Sequence, residues 1–132
     1  MAINIVVVDS VKLPEGVEFP SLKTVKYSWE QYLQLDDEDI AVRCWRADIL
    51  VVLSTAINRA HLDKMPRLKL LIVANEACRR LDQAAAEEQG VELLAFPDTT
   101  YSDPEAAQDL CNRISKAIDH YILIFENKGV TP

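Results

Sequence analysis

Two adjacent arginines, Arg79 and Arg80, are the most suggestive polar feature of this chain. They follow the apolar run Leu70–Ala74, at a point where a buried strand would turn into a helix. Guanidinium groups and backbone N–H groups at such a turn could together hold a carboxylate or a phosphate. The alternative is that both arginines are solvated and only pack their aliphatic stems against the helix surface. The pair therefore marks a candidate anion site.

The histidines and cysteines offer less chemistry. His61 and His120 are the only histidines, and neither has a second His or Cys at metal-ligand spacing. We expect His61 to be a solvated surface residue and His120 to lie on the polar face of its helix. The three cysteines are odd in number and far apart, which fits neither a disulfide framework nor a zinc site. We expect reduced, mostly structural thiols and no metal.

Apolar runs alternate with helical patterns along the chain. Continuous apolar runs predict strands at residues 3–8, 49–53, 70–74 and 91–96, and a weaker alternation predicts an edge strand at residues 23–27. Helices are predicted at residues 36–45, after Asn58, at residues 81–89 and from Pro104 onward. Ser28 with Gln31 has the form of a capping box, which predicts one short helical turn.

Strands that alternate with helices indicate an α/β protein. The economical arrangement is a flavodoxin-like, three-layer α/β/α fold whose five parallel strands have the order 2-1-3-4-5. A chain of 132 residues has the size of one domain, so we expect a single domain over residues 1–132. A long closing helix is expected over residues 104–126. Its one-sided apolar face needs a partner surface, either this domain's own sheet or another subunit.

Composition excludes several classes of function. The formal net charge of −7 argues against binding to nucleic acid or to anionic membrane surfaces. The amino-terminal apolar run has no basic segment before it and is read as a strand rather than a signal peptide, and no apolar stretch has the length of a membrane span. We expect a cytoplasmic location.

Polar residues collect where the predicted strands end, which is where parallel α/β sheets bind ligands. They are Asp9, Ser10, Ser54, Thr55, Asn75, Glu76, Arg79, Asp98, Thr99, Thr100 and Tyr101. Neither a G-x-G-x-x-G turn nor a G-x-x-x-x-G-K loop occurs, and no aspartate ends the strand before Ser54. Dinucleotide binding by a familiar loop and phosphotransfer of the response-regulator type are therefore not expected.

Several segments together resemble a known family. Residues 65–73 read Met-Pro-Arg-Leu-Lys-Leu-Leu-Ile-Val, and Leu81-Asp82 and Gly90-Val91 follow. With the strand and loop at residues 5–14, this set resembles the amino-terminal substrate domain of the D-isomer-specific 2-hydroxyacid dehydrogenases over roughly residues 3–108. The nearest subgroup is glycerate dehydrogenase/hydroxypyruvate reductase.

The resemblance implies that substrate binding and catalysis are assigned to two different domains. In complete members a glycine-containing turn after the fourth strand receives the substrate carboxylate, and a following Rossmann domain supplies NAD and the catalytic arginine, glutamate and histidine. Residues 1–132 hold no such domain, so we expect no catalytic residue, cofactor or metal on this chain. Ala77 stands at the glycine position, and arginines replace the usual Asn or Asp beside it. The expected substrate or anion site consists of Ser54, Thr55, Asn75, Glu76, Ala77, Arg79 and Arg80.

Three hypotheses remain open. The chain is a freestanding dehydrogenase-like substrate domain, catalytically silent alone, that binds a small 2-oxo or 2-hydroxy carboxylate. Alternatively, it is a fragment or subunit of an NAD-dependent oxidoreductase, completed in trans by a separate NAD-binding chain. The third hypothesis is a non-enzymatic interaction module that uses its last helix to form a homodimer.

Overall fold

A computed structural model describes residues 3–23, 26–98 and 103–130 of the protein, with side chains described through residue 124. The chain separates into two compact units. The first consists of Met1–Lys12 and Tyr27–Thr99, and the second of Leu13–Lys26 and Thr100–Pro132.

A five-stranded parallel sheet forms the centre of the first unit. Its strands are β1 (Ile3–Val7), β2 (Tyr27–Gln31), β3 (Ile49–Val52), β4 (Leu70–Ala74) and β5 (Glu92–Phe96), in the order β2-β1-β3-β4-β5. Every residue of β3 and β4 is buried, as expected for apolar runs in the middle of a parallel sheet. The predicted fold class and strand order are confirmed.

Short helices connect these strands, and their ends carry the expected capping residues. They are α1 (Asp37–Cys44), α2 (Arg59–Asp63), α3 (Ala77–Arg80) and α4 (Gln83–Gln89), with a single 3-10 turn at Ser10–Lys12. Asp36, Asn58 and Asp82 cap α1, α2 and α4 by accepting a backbone N–H. Gly90 ends α4 with φ 79°, the left-handed conformation that glycine adopts without strain.

One face of the sheet packs against α1, α2 and α4. Ile40 of α1, Leu62 of α2 and Ala86 of α4 belong to the same buried cluster as Leu50 of β3 and Leu71 of β4. This core fixes the strands, and hence the loops that leave their carboxyl ends.

The second unit pairs an irregular loop with one long helix, α5 (Pro104–Val130). Gln108 exchanges two hydrogen bonds with the backbone of Glu18, at 3.1 and 2.7 Å. Further along α5, the Ser115 hydroxyl donates to Pro20 O at 3.1 Å, and the Asp119 carboxylate accepts from the N–H of Lys23 at 3.0 Å. Side chains on one stripe of α5 thus satisfy backbone groups of the loop. No helix among the described residues is both long enough and apolar enough to cross a bilayer.

The edge strand is where the sequence predictions were wrong. Residue 23 lies in a bend, residues 24 and 25 are outside the described ranges, and the strand is Tyr27–Gln31 instead. The capping box assigned to Ser28 and Gln31 is also wrong, because both residues belong to β2. Pairing with β1 overrides the local signal, and Trp29 Nε1 donates to Gln31 Oε1 at 3.0 Å along the same face of the strand.

The helix predictions also differ from the structure. The helix assigned to residues 81–89 begins at Gln83, because Asp82 serves as its N-cap. The short helix α3 was not predicted, since four residues give too short a pattern to read.

Candidate functional site

A buried carboxylate organises the loop after β3. Asp9 follows β1 and is fully buried. Its carboxylate accepts hydrogen bonds from the N–H groups of Leu53, Ser54 and Thr55 at 2.8, 2.7 and 2.9 Å. The hydroxyls of Ser54 and Thr55 add bonds of 3.3 and 2.8 Å. A single carboxylate thus occupies the group of donors that this loop would otherwise present to an anion.

This arrangement changes the role of two predicted site residues. Ser54 and Thr55 do lie at the carboxyl end of β3, but their N–H and hydroxyl groups point to Asp9. The sequence placed Asp9 among the polar residues at this edge without assigning it a role. The signal that could have revealed the anchor is the strand order, because β1 and β3 are neighbours whose ends meet at one edge.

The turn after β4 is held through its backbone. Asn75 has φ 49°, a left-handed conformation that asparagine tolerates better than most residues. Its N–H donates to Phe96 O at 3.0 Å, and its carbonyl accepts from the N–H of Cys78 at 3.1 Å. Ala77 is fully buried in α3. The position that the resemblance assigns to glycine therefore has helical geometry in this chain, and its methyl group is part of the core.

The two arginines of this turn behave differently. Arg80 Nη1 donates to the carbonyl of Ser54 at 3.1 Å, and Arg80 Nη2 lies 3.8 Å from Glu76 Oε2. Arg80 therefore links the β4 turn to the β3 loop. Arg79 is exposed, and its guanidinium forms no hydrogen bond or ion pair with any residue in the described ranges. Of the two arginines in this turn, Arg79 is thus the one that no described residue engages.

One backbone donor at the same turn is also open. Glu76 is exposed, and its N–H makes no hydrogen bond to a described residue. Together with Arg79 it offers donors of the kind that bind a carboxylate. The candidates Thr99, Thr100 and Tyr101 lie outside the described residues, and Asp98 is exposed.

Cys78 is the thiol nearest this turn, and it is not activated. Its Sγ is 3.5 Å from Val73 O, and burial raises the pKa of the Cys78 thiol. Burial also raises the pKa of Cys44 and of Cys111 to about 12. All three cysteines are free, and Cys44 and Cys111 are buried, which agrees with the predicted structural thiols. Neutral thiols are poor nucleophiles, so no cysteine chemistry is expected here.

The prediction for His61 was wrong. Its side chain is only 6% exposed, and its Nδ1 accepts the N–H of Asn58 at 3.1 Å. Because Nδ1 is an acceptor, the ring proton lies on Nε2, which donates to Asp37 Oδ1 at 3.0 Å. The ring is buried because it completes the α2 cap and joins α2 to α1. His120 is exposed on α5, as predicted.

No group of three His, Cys, Asp or Glu side chains with the form of a metal site occurs within the described ranges. The carboxyl edge thus holds a turn, Asn75 to Arg80, with an exposed arginine, beside a loop that is hydrogen-bonded to Asp9.

Comparison with known proteins agrees with this fold. The family model for the catalytic domain of D-isomer specific 2-hydroxyacid dehydrogenase matches residues 5–121. A Haemophilus influenzae protein named "Putative 2-hydroxyacid dehydrogenase" is 28% identical over 88 residues, which cover 67% of this chain and 28% of that protein. The chain therefore spans under a third of the length of this relative in the match. With most of its length matched by the family model, this chain belongs to the D-isomer specific 2-hydroxyacid dehydrogenase family, through its catalytic domain.

Proposed function

We propose that this chain is a dehydrogenase-type substrate-binding domain that holds the carboxylate of a small 2-oxo or 2-hydroxy acid at the turn after β4. The observation that carries the proposal is the exposed guanidinium of Arg79, which no described residue pairs, at the carboxyl end of a family-typical sheet. The chain has a net charge of −7, so a local cation is needed to attract an anion. The open N–H group of the exposed Glu76 supports the same position.

The remaining predicted site residues act indirectly in this proposal. Ser54 and Thr55 are held by Asp9, and the Ser54 carbonyl accepts a hydrogen bond from Arg80. We infer that the β3 loop positions the β4 turn through Arg80, while Arg79 contacts the ligand. Asn75 shapes the turn through its left-handed backbone.

Hydride transfer needs a nicotinamide placed against the substrate and a group that moves a proton. We assign neither to the described residues, so we propose that the 132-residue chain alone binds but does not oxidise its ligand. The resemblance to glycerate dehydrogenase/hydroxypyruvate reductase makes hydroxypyruvate, glyoxylate and glycerate the first ligands to test. The three free thiols support a cytoplasmic location.

As a second candidate function, this chain is one subunit of an NAD-dependent oxidoreductase that a separate NAD-binding chain completes in trans. One observation favours it. Leu123 and Ile124 on α5 are 58% and 41% exposed, although both are large apolar residues. Native mass measurement separates the possibilities. A co-purifying NAD-binding chain supports completion in trans, and a homodimer supports a non-enzymatic dimerisation module.

Calorimetry on the 132-residue chain tests the primary proposal. The ligands are hydroxypyruvate, glyoxylate, glycerate, inorganic phosphate and NADH. We expect weak binding of a carboxylate, loss of that binding in Arg79→Ala, and no binding of NADH. Arg59→Ala is the matched control, since Arg59 is an exposed arginine already paired with Glu88 at 2.7 Å. Carboxylate binding that survives Arg79→Ala, or tight binding of NADH, would refute the proposal.

A further inference from the structure

We propose that a cavity between the edge strand β2 and the last turn of α1 binds a small aromatic carboxylate. The cavity has a volume of about 330 Å³, which lies in the range of small-molecule sites. It belongs wholly to the first unit. It is also separate from the β4 turn, because β1 and β3 stand between β2 and β4 in the sheet.

Two arginines that form no ion pair with a described residue line this cavity. Arg43 and Arg46 lie at the end of α1, both are exposed, and neither forms an ion pair within the described part of the chain. Most other arginines are engaged: Arg59 with Glu88, Arg67 with Asp48, Arg80 with Ser54 and Glu76, and Arg113 with Asp109. Two guanidinium groups on one rim are thus left for an external anion in a protein that is acidic overall.

Further polar groups face the same space. The side-chain amide of Asn4 and the hydroxyl of Ser28 make no hydrogen bond with any described residue. Both can donate to a carboxylate oxygen. Arg43 and Arg46 also lie near the C-terminus of α1, where cations stabilise a helix. That effect does not explain why the neutral donors of Asn4 and Ser28 line the same cavity.

An aromatic wall defines the rest of the ligand. The Trp45 ring is 53% exposed, and the Arg46 guanidinium lies 5.5 Å from its centroid. Tyr32 lines the strand side, where its hydroxyl donates to Glu30 at 3.2 Å. The Glu30 carboxylate repels an anion on that side, so the ligand's carboxylate belongs beside the arginines, with its ring against Trp45. A carboxylate with one aromatic ring fits both halves of the cavity.

The two tryptophans permit a direct test. Trp29 and Trp45 are the only tryptophans, and alternation along β2 places Trp29 on the opposite face from Ser28. In Trp29→Phe the fluorescence of Trp45 reports the cavity alone. We expect saturable binding of benzoate, and binding of the uncharged analogue benzamide that is at least about tenfold weaker, since a charge-assisted contact is worth about 1.4 kcal/mol or more.

Variants then identify the contacts. In the same Trp29→Phe background, Arg43→Gln with Arg46→Gln should weaken benzoate binding at least about tenfold. Arg59→Gln, which removes one exposed arginine beside a different cavity, should leave the affinity unchanged. Circular dichroism checks that each variant is folded.

Three outcomes would overturn the proposal. These are the absence of saturable binding, equal affinity for benzoate and benzamide, and unchanged benzoate affinity in the folded double variant. Loss of the signal in Arg79→Ala, with no effect of the double variant, would likewise contradict it by moving the anion to the β4 turn. The proposal does not depend on the function assigned to that turn.

Discussion

The loop after β3 and the turn after β4 lie at the same edge of the sheet. The polar groups of the loop are hydrogen-bonded within the protein, whereas the turn leaves a cation exposed. The β3 loop directs three backbone N–H groups and two hydroxyls to one buried carboxylate, Asp9. The β4 turn leaves Arg79 exposed and unpaired among the described residues. A fixed loop beside an open turn is an arrangement in which the first can position the second for binding.

Arg80 is the link between the two regions, through its hydrogen bond to the Ser54 carbonyl. Because the acceptor is a backbone atom of a loop that Asp9 holds, the guanidinium has a fixed point of attachment. We therefore expect substitutions in these two regions to lower the free energy of unfolding by different amounts. Substitution of Asp9, which holds the β3 loop, should lower it most, and substitution of the exposed Arg79 should lower it least.

The largest effect is expected for Asp9→Ala. The substitution leaves two buried N–H groups and the partly buried N–H of Thr55 without an acceptor, and an unsatisfied buried group costs about 1–3 kcal/mol, so we expect a loss of about 3–5 kcal/mol in the free energy of unfolding. Urea denaturation measures this loss. Glu15→Ala, which removes an exposed carboxylate, is the control and should change stability by under about 0.5 kcal/mol. A loss below about 1 kcal/mol in Asp9→Ala would show that other contacts hold the loop.

Asp9 also shows what the sequence could not reveal. Its donors are 44 to 46 residues away, and no local pattern records such a contact. The strands themselves were predictable, since a parallel strand buried on both faces is a continuous apolar run, as in Leu70–Ala74. Hydrogen bonds between loops depend on tertiary placement, which periodicity does not encode.

Two other wrong predictions have the same cause. The edge strand Tyr27–Gln31 is half-exposed and mixes aromatic with polar residues, so its identity depends on pairing with β1 rather than on a run of apolar residues. His61 is buried because α2 packs beside α1, where its ring meets Asp37. At the candidate site, the position of Arg79 was predicted from the turn, whereas the attachment of Arg80 to Ser54 was not.

A smaller effect is expected for Ala77→Gly, which restores the residue that the family resemblance places in this turn. Glycine in α3 costs backbone entropy and removes a fully buried methyl group, so we expect a loss of about 1–2 kcal/mol in unfolding free energy. Carboxylate affinity should not rise, since the methyl group lies in the core and does not face a ligand. Calorimetry with hydroxypyruvate measures the affinity, and tighter binding by the variant would show that the methyl group crowds the ligand.

Cutting the link between the two regions should cost less stability. In Arg80→Ala the hydrogen bond to Ser54 is lost, and because the side chain is 56% exposed we expect about 1 kcal/mol. The clearer readout is Cys78, whose thiol burial keeps protonated by raising its pKa. Loosening the turn should speed the labelling of Cys78 by a thiol reagent near neutral pH, while Cys44, buried with a pKa of about 12, should react no faster. Equal labelling rates for Cys78 in the wild type and the variant would show that Arg80 does not fix the turn.

Arg79→Ala should have the smallest effect on stability, within about 0.5 kcal/mol, because this guanidinium has no hydrogen bond or ion pair among the residues described. Arg79→Ala is most informative when it is compared with Arg80→Ala, since each variant removes one positive charge at adjacent positions. Arg79→Ala should abolish carboxylate binding at wild-type stability, and Arg80→Ala should lower stability and only weaken binding. Urea denaturation and calorimetry on the same preparations measure both quantities. If the two variants lose affinity equally while Arg79→Ala keeps its stability, both arginines contact the ligand, and the β3 loop and β4 turn form one binding surface rather than an anchor and a contact.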